Sequence, residues 1–386
     1  MTYDFNKIID RRNTRSLKWE KEDMLPLWVA DMDFQAPPEV IEALMKRAEH
    51  GIFGYPGSCS SSFQSIKSWM ERRFSWQVEE DWINFCPGTI PALSMLVRTF
   101  THPGDRIILQ APNYPPFLNI TRDNGCHAVY NQLQFKQGKY HMDFADLEQK
   151  IKEPRVKLLI LCSPHNPVGR VWEKEELARL AEICLDNNVL VVSDELHADL
   201  VYKGCQHIPL PLVSDGIAQN TIVLSGPTKT FNLAGLQTSF SIIPNPQIRS
   251  RFKTALEVSG YSRPNVFGLE AVHSAYDYGE PWLESLIIYI RDNLDFLTEY
   301  LNNKIPILKV IQPEGTYLAW IDCRELKMET QELEKFFLSA GVFLNQGYAF
   351  GPGGAGFIRL NLACPRSTLE EALQRIERAI ISRLNL

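Results

Sequence analysis

The chain has 386 residues, 45% of them hydrophobic and 22% charged, with 46 acidic against 40 basic side chains and a net charge of −6. That length exceeds what one small core organises and predicts two domains, and an acidic balance without a basic tract argues against a nucleic-acid partner. No apolar run reaches the roughly 20 residues of a membrane helix, and the polar start MTYDFNKIIDRRNTRSLKWE lacks the apolar stretch of a signal peptide, so no membrane association and a cytoplasmic location are expected.

Taken in chain order, the first informative stretch is 86-CPGTIPALSMLV-97. Gly88-Thr89-Ile90 precede a helical run with proline in its first turn. Backbone N–H groups there make an anion site, although an ordinary capped helix reads the same way. The segment 105-DRIILQAP-112 reads as a short buried strand, and so does 156-VKLLILCSP-164. Within 163-SPHNPVGRVW-172, Asn166-Pro167 is either a turn or the place from which an amide donates to a phenolic oxygen or a carboxylate. Glu173 to Asn187 has the pattern of an amphipathic helix. The strand 189-VLVVSDE-195 then ends in acids. Asp194 serves there as a helix cap or as the buried counter-ion of a cationic ring nitrogen, while Glu195 points to the opposite face. His197 by itself reads as a structural hydrogen-bonder.

The strand 221-TIVLS-225 leads through Gly226-Pro227-Thr228 to Lys229, and a further strand follows at 238-TSFSIIP-244. Lysines are mostly exposed. One at the mouth of a buried strand is pressed toward its neutral form, which makes it a usable nucleophile. Apolar strands separated by helices predict an α/β fold around a mostly parallel sheet covered on both faces. Ligands of such sheets sit beyond the carboxyl ends of the strands, where Asn166, Asp194 and Lys229 all fall.

From Pro281 the pattern changes. A long helix is predicted over Trp282 to Asn302, then strand-like 315-GTYLAWID-322, a helix from Thr330 to Ser339, strand-like 357-FIRLNLA-363 and a last helix from Thr368 to Leu384. The expected division is a large domain over 46–280 and a smaller α+β domain formed by 1–45 and 281–386. Arg359 interrupts an apolar strand pattern. A buried arginine needs an acidic partner within the chain, or its fork holds a ligand's carboxylate. Residues 351-GPGGAG-356 match G-x-G-x-x-G but precede a strand instead of following one, so they read as a turn. Neither a P-loop nor an H-E-x-x-H pattern is present, and no metal site is expected. The eight cysteines are scattered, without a C-x-x-C pair, and read as free thiols.

A nucleophilic lysine, an aspartate for a ring nitrogen, an anion cup, an amide and an arginine for a carboxylate are together what pyridoxal phosphate chemistry needs. The order of Asp194, Lys229 and Arg359, with SPHNPVGRVW and KTFNLAGLQ, resembles the fold-type-I pyridoxal-phosphate enzymes related to aspartate aminotransferase. More narrowly, 29-VADMDF-34, 53-FGYPG-57, 113-NYPPF-117, 314-EGTYLAWID-322 and 359-RLNLACP-365 resemble the cystathionine β-lyase branch, of the MalY, PatB and cystalysin kind. The resemblance spans essentially the whole chain.

It implies that Lys229 anchors pyridoxal 5'-phosphate covalently and later moves the substrate's α-proton. It further implies that Asp194 pairs with the ring nitrogen, Asn166 with the ring's 3-oxygen, and Tyr114 stacks on the ring. Thr89, Ile90 and Thr228 resemble phosphate contacts, and Tyr55 the tyrosine that reaches the phosphate from the partner subunit of a homodimer. Arg359 resembles the clamp on the α-carboxylate, and Ala30 lies where the N-terminal arm nears substrate. His197 falls among the cofactor contacts, where many aminotransferases of this fold carry tyrosine. Gln237 stands where many carry a phosphate-binding arginine. Both departures are shared with the lyase branch, but leave the roles of His197 and Gln237 open. The expected activity is β-elimination from L-cystathionine, L-cysteine or a related amino acid, giving pyruvate, ammonia and a thiol. The alternatives are an aminotransferase on the same scaffold and a pyridoxal-phosphate-binding regulator that contacts a transcription factor.

Overall fold

The apolar runs of the middle of the chain become one seven-stranded sheet. The computed structural model describes residues 3–384 apart from Glu22 and Ser58. The strands are β1 (Ile83–Cys86), β2 (Arg106–Ala111), β3 (His127–Gln132), β4 (Val156–Cys162), β5 (Leu190–Asp194), β6 (Thr221–Ser225) and β7 (Ser239–Ile242), in the order β1-β7-β6-β5-β4-β2-β3. From β6 to β3 every neighbouring pair is parallel, while β7 runs antiparallel to both β6 and β1. The strands read as unbroken apolar runs because both faces are covered. Ile107 and Leu109 point into one core and Ile108 into the other; Leu158 and Ile160 are split in the same way from Leu159 and Leu161. Helices Thr89–Phe100, Pro115–Asp123 and Pro246–Val258 close one face, and Lys174–Asp186 closes the other. The last of these starts where the sequence indicates, with Glu173 and Glu176 forming a reciprocal capping box.

A second sheet is antiparallel throughout: β8 (Lys309–Ile311), β9 (Leu318–Asp322), β10 (Asn345–Gln346) and β11 (Phe357–Asn361), in the order β8-β9-β11-β10. The helix Glu280–Lys304 buries Trp282, Leu283, Leu286, Ile290, Leu294, Leu297 and Leu301 at three- and four-residue spacing, the stripe of a core-facing helix. Asn293 lies on that same stripe. Its amide donates to the carbonyls of Leu362 and Cys364, both at 2.9 Å, and so ties the helix to the chain leaving β11.

The strands of this sheet are shorter than the sequence pattern suggests. Thr316 has φ of 68°, and the N–H groups of Gly315 and Thr316 bond to Gly169 and Leu200, so pairing starts only at Leu318. Near the amino terminus, Leu25–Pro26 pairs in parallel with Val342–Phe343. The helix Pro38–His50, which spans position 45, packs instead against Val266–Tyr278. Residues 351–356 form a turn with Gly351, Gly353 and Gly356 all at positive φ.

Candidate active site

Beyond the carboxyl ends of β1, β4, β5 and β6 lies a cavity of about 260 Å³. Its wall contains Gly88, Thr89 and Ile90 after β1, Asn166 after β4, Asp194 and His197 after β5, and Thr228 and Lys229 after β6. Tyr114 and Ala30 complete it, the first from the loop after β2 and the second from the N-terminal arm. A larger hollow of about 800 Å³ lies between residues 3–9 and the helix Pro38–His50, but Lys229, Asp194 and Asn166 are all absent from its lining; Arg359 lines neither, and reaches the smaller cavity through Asn166.

Lys229 stands in the single helical turn Pro227–Thr230. Its neighbour Thr230 points the other way and donates to Asp199 at 2.7 Å, which fixes the turn. The Lys229 amine donates to the Ala30 carbonyl at 2.6 Å. Burial pulls its pKa from 10.5 down to about 8, with Arg359 acting in the same direction and Asp31 and Asp194 opposing. At pH 7 about a tenth of this amine is therefore in the neutral, nucleophilic form, far more than of an exposed lysine.

Asp194 closes β5 and accepts one backbone bond, from Leu196 N–H at 3.2 Å. Burial raises its pKa from 3.8 to about 6, against the pull of Leu196 N–H and Lys229. A carboxylate in that state gains most from a cationic N–H partner. Glu195 belongs to a different network. It accepts from Ser193 Oγ at 2.8 Å and Leu210 N–H at 3.1 Å, and its other oxygen lies 2.9 Å from His207 Nε2. The two adjacent acids thus serve opposite faces of the strand. His197 is buried, its pKa lowered to about 3 by burial, with Lys229 and Arg359 adding to the effect. It presents a neutral ring, 5.7 Å from that of Tyr317 and nearly perpendicular to it.

Arg359 is buried in β11, yet its partners are not carboxylates. Its Nη1 donates to Asn166 Oδ1 at 2.9 Å, and its Nη2 to the Trp28 carbonyl at 3.0 Å and to Asn345 Oδ1 at 2.5 Å. Its Nε is buried without a partner. Burial lowers its pKa to about 10, so it remains a cation at neutral pH whose charge no acid balances. Of the two readings left open by the sequence, the internal salt bridge is not seen: among the described residues the guanidinium makes no ion pair. The bond to Arg359 also orients Asn166, turning its amide oxygen toward the arginine and leaving its NH₂ to donate.

At the far side, the helix Thr89–Phe100 begins without a side-chain cap. Gly88 before it has φ of 107°, a conformation other residues adopt only under strain. The Thr89 hydroxyl is buried with no partner. Uncapped N–H groups, an unused hydroxyl and Thr228 make a cup that fits an anion such as a phosphate. Tyr114 caps the next helix, and burial raises its pKa. Tyr55 is 97% exposed and reaches none of this in its own chain. An anion cup, a nucleophilic amine, an acid for a cationic nitrogen and an arginine for a carboxylate together fit an anionic pyridine aldehyde and an amino acid.

Some residues of the site were not singled out from the sequence. Tyr317 donates to the Ala30 carbonyl at 2.9 Å, and Asn345 braces Arg359. Asn361 donates to the carbonyls of Val29 and Asp31, both at 2.6 Å. A signal for Asn361 existed: an asparagine two positions from Arg359 shares its face of the strand.

The family model described as aminotransferase class I and II matches residues 22–376. The chain is 43% identical over 385 residues to the cystathionine β-lyase PatB of Bacillus subtilis (strain 168), covering 98% of this chain and 100% of that protein. Among solved structures it is similar to cystalysin from Treponema denticola, which contains a pyridoxal 5'-phosphate cofactor, with a TM-score of 0.97, 38% identity, and 99% and 100% of the two chains covered. It is also similar to a pyridoxal-phosphate-bound protein from Clostridium difficile 630 described as an aminotransferase, with a TM-score of 0.96, 45% identity, and 98% and 100% covered.

Proposed function

The chain belongs to the aminotransferase class I and II family, and on that footing we propose that it is a pyridoxal-phosphate-dependent carbon–sulfur β-lyase acting on L-cystathionine, L-cysteine or a related sulfur amino acid. The observation that carries this reading is the pairing of a buried, partly neutral Lys229 with a buried Arg359 that has no acid of its own.

When bound, pyridoxal phosphate supplies an aldehyde that condenses with amines and an electron sink for charge at the α-carbon. Thr89, Ile90 and Thr228 would hold its phosphate, Asp194 its ring nitrogen, Asn166 its 3-oxygen, and Tyr114 the face of its ring. His197 stands beside them as a neutral group, so it adds no charge at the ring's edge. Arg359 takes the substrate's α-carboxylate beside its unpartnered Nε–H, exchanging for it an amide or carbonyl oxygen that Nη2 now holds. Ala30 closes the wall on the arm side. Lys229, once the substrate amine has replaced it, removes the proton from the α-carbon as a general base, its lowered pKa placing it near the working pH. It is then charged and returns a proton as the thiol departs from the β-carbon. The net reaction consumes one water and gives pyruvate, ammonia and a thiol.

In this reading residues 46–280 hold the cofactor, and a smaller unit from 1–45 and 281–386 supplies Arg359 and the arm. The working unit is a homodimer, with Tyr55 crossing to the phosphate of the partner's site; its exposure in the single chain supports that role. Eight cysteines, none of them in a disulfide, fit a reducing cytoplasm. The test is to supply L-cystathionine, L-cysteine or L-cystine to the purified, cofactor-loaded protein without any 2-oxo acid. Pyruvate, ammonia and a sulfur product in equal amounts from at least one of them are expected. A reaction that proceeds only when an oxo acid is added would make it an aminotransferase instead.

A further inference from the structure

Residues 27–34 form a strap that touches the cavity at Ala30 and whose carbonyls are held largely by side chains. Arg359 binds the carbonyl of Trp28, Asn361 those of Val29 and Asp31, and Asn232 those of Met32 and Phe34. The carbonyl of Ala30, in the middle, accepts from Lys229 at 2.6 Å and from Tyr317 at 2.9 Å. Two acids follow it, and both are tied down. The Arg11 fork meets the two oxygens of Asp31 at 3.1 and 2.7 Å and also reaches Asp33 Oδ1 at 2.7 Å. Lys18, its side chain fully buried, lies 2.8 Å from Asp33 Oδ2 and 3.6 Å from Asp31 Oδ1. Trp19 Nε1 adds a bond to Asp33 at 3.0 Å. Burying a lysine and an aspartate together is a weak route to stability, because desolvation cancels much of the attraction. What such a knot does supply is a fixed position.

We propose that the Arg11–Asp31 pair, backed by Lys18–Asp33, is a positioning device for the reaction: it sets the Ala30 carbonyl as the partner of the free Lys229 amine and masks the Asp31 charge from that amine. The proposal rests on the role given above to Lys229, not on the identity of the substrate. A carbonyl only accepts. One N–H of the amine is therefore directed at Ala30, and the lone pair of the neutral form is turned elsewhere in the cavity. The groups facing the amine are Arg359 from β11, Asp194 from β5 and Asp31 from the strap, with His197, Tyr114 and Cys162 as uncharged neighbours on the same cavity. Of the charged three, only Asp31 has a resident cation gripping both of its oxygens.

The test reads Lys229 directly. In cofactor-free protein, the pH dependence of Lys229 acetylation by acetic anhydride, followed by peptide mass spectrometry, gives a midpoint for the amine, expected at about 8. Arg11→Met unmasks Asp31 and should raise that midpoint by about half a unit to one unit, whereas Asp31→Asn should lower it. General loosening of the arm would instead move both variants upward, toward an exposed lysine. In the loaded enzyme both variants should lose about tenfold in kcat while KM stays within about threefold. Arg11→Lys, which restores the charge without the fork, should return the midpoint toward that of the wild type and leave kcat low. Unchanged midpoints, or upward shifts in both variants, overturn the proposal. Should Arg11→Met fail to fold, Asp31→Asn decides alone: a fall supports the proposal and no change sinks it. Opposite shifts in a protein without lyase activity would support the positioning role and refute the function proposed above. Normal lyase activity with unshifted midpoints would do the reverse.

Discussion

At the scale of single residues, the site is built from groups that are costly where they stand. Arg359 is buried against amide and carbonyl oxygens, an arrangement that supports the carboxylate-binding role proposed for it. Arg359→Lys keeps the charge but loses the fork. It is expected to raise KM for the amino acid by about tenfold or more while the absorbance of bound cofactor is retained.

Asp194 offers a second test, in stability. Its carboxyl titrates at about 6 in the folded chain against 3.8 for the free group. Between those values the folded chain binds more protons than the unfolded one, so this group's contribution to stability falls as pH rises through that window. In cofactor-free protein, urea unfolding should show Asp194→Asn more stable than wild type above pH 6, by about 2–3 kcal/mol, with the difference vanishing below about pH 4. His197, lowered from 6.5 to about 3, pulls the other way over the whole of that window but is common to both proteins.

Lys229, Asp194 and Arg359 were legible in the sequence because their residue types are chemically conspicuous in apolar strands. Asn345, Tyr317 and Asp31 were not. Each matters through a contact with a residue distant in the chain: Asn345 with Arg359, Tyr317 with Ala30 at a separation of 287, and Asp31 with Arg11 at 20.

At the scale of elements, placement does most of the chemistry. Four strands end at one edge of the sheet, and each delivers its residues at its last paired residue, as with Asp194, or in the few positions after it. The strands themselves were legible because burial on both faces writes a continuous apolar run, as in β4 and β6. Strand ends in the second sheet were not, since the positive φ of Thr316 has no local signal in a threonine. The direction of β7 was equally silent, because an antiparallel strand buried on both faces reads like a parallel one. The helix Glu280–Lys304 was plain from its periodicity. Leu294 lies fully buried on its stripe, and Leu294→Ala should cost about 3 kcal/mol in urea unfolding without changing KM.

At the scale of the whole molecule, the site lies where the two sheets and the N-terminal arm meet. Lys229 comes from the large sheet's side, Arg359 from the second sheet, and Ala30 from the arm. The sequence could assign these segments to different parts of the chain, but not show that a backbone carbonyl of the arm touches the lysine. That contact involves no side chain of the arm and leaves no mark in composition. In the homodimer proposed above, the exposed Tyr55 extends the same logic beyond one chain. Lys229→Ala and Tyr55→Ala proteins, each weak alone, should regain activity when mixed and allowed to exchange subunits, because one site in each mixed dimer is then intact. No recovery would leave Tyr55 without a role across subunits.

The most direct measurement is the number of turnovers per subunit on L-cystathionine with no oxo acid present. A β-lyase that uses Lys229 as its base keeps releasing pyruvate until substrate is exhausted, many equivalents per subunit, and the Lys229→Ala protein releases none above background. Consumption of a single equivalent of L-cystathionine per subunit, with formation of its own 2-oxo acid and no pyruvate, and further turnover only when an oxo acid is added, would contradict β-elimination and make the chain an aminotransferase.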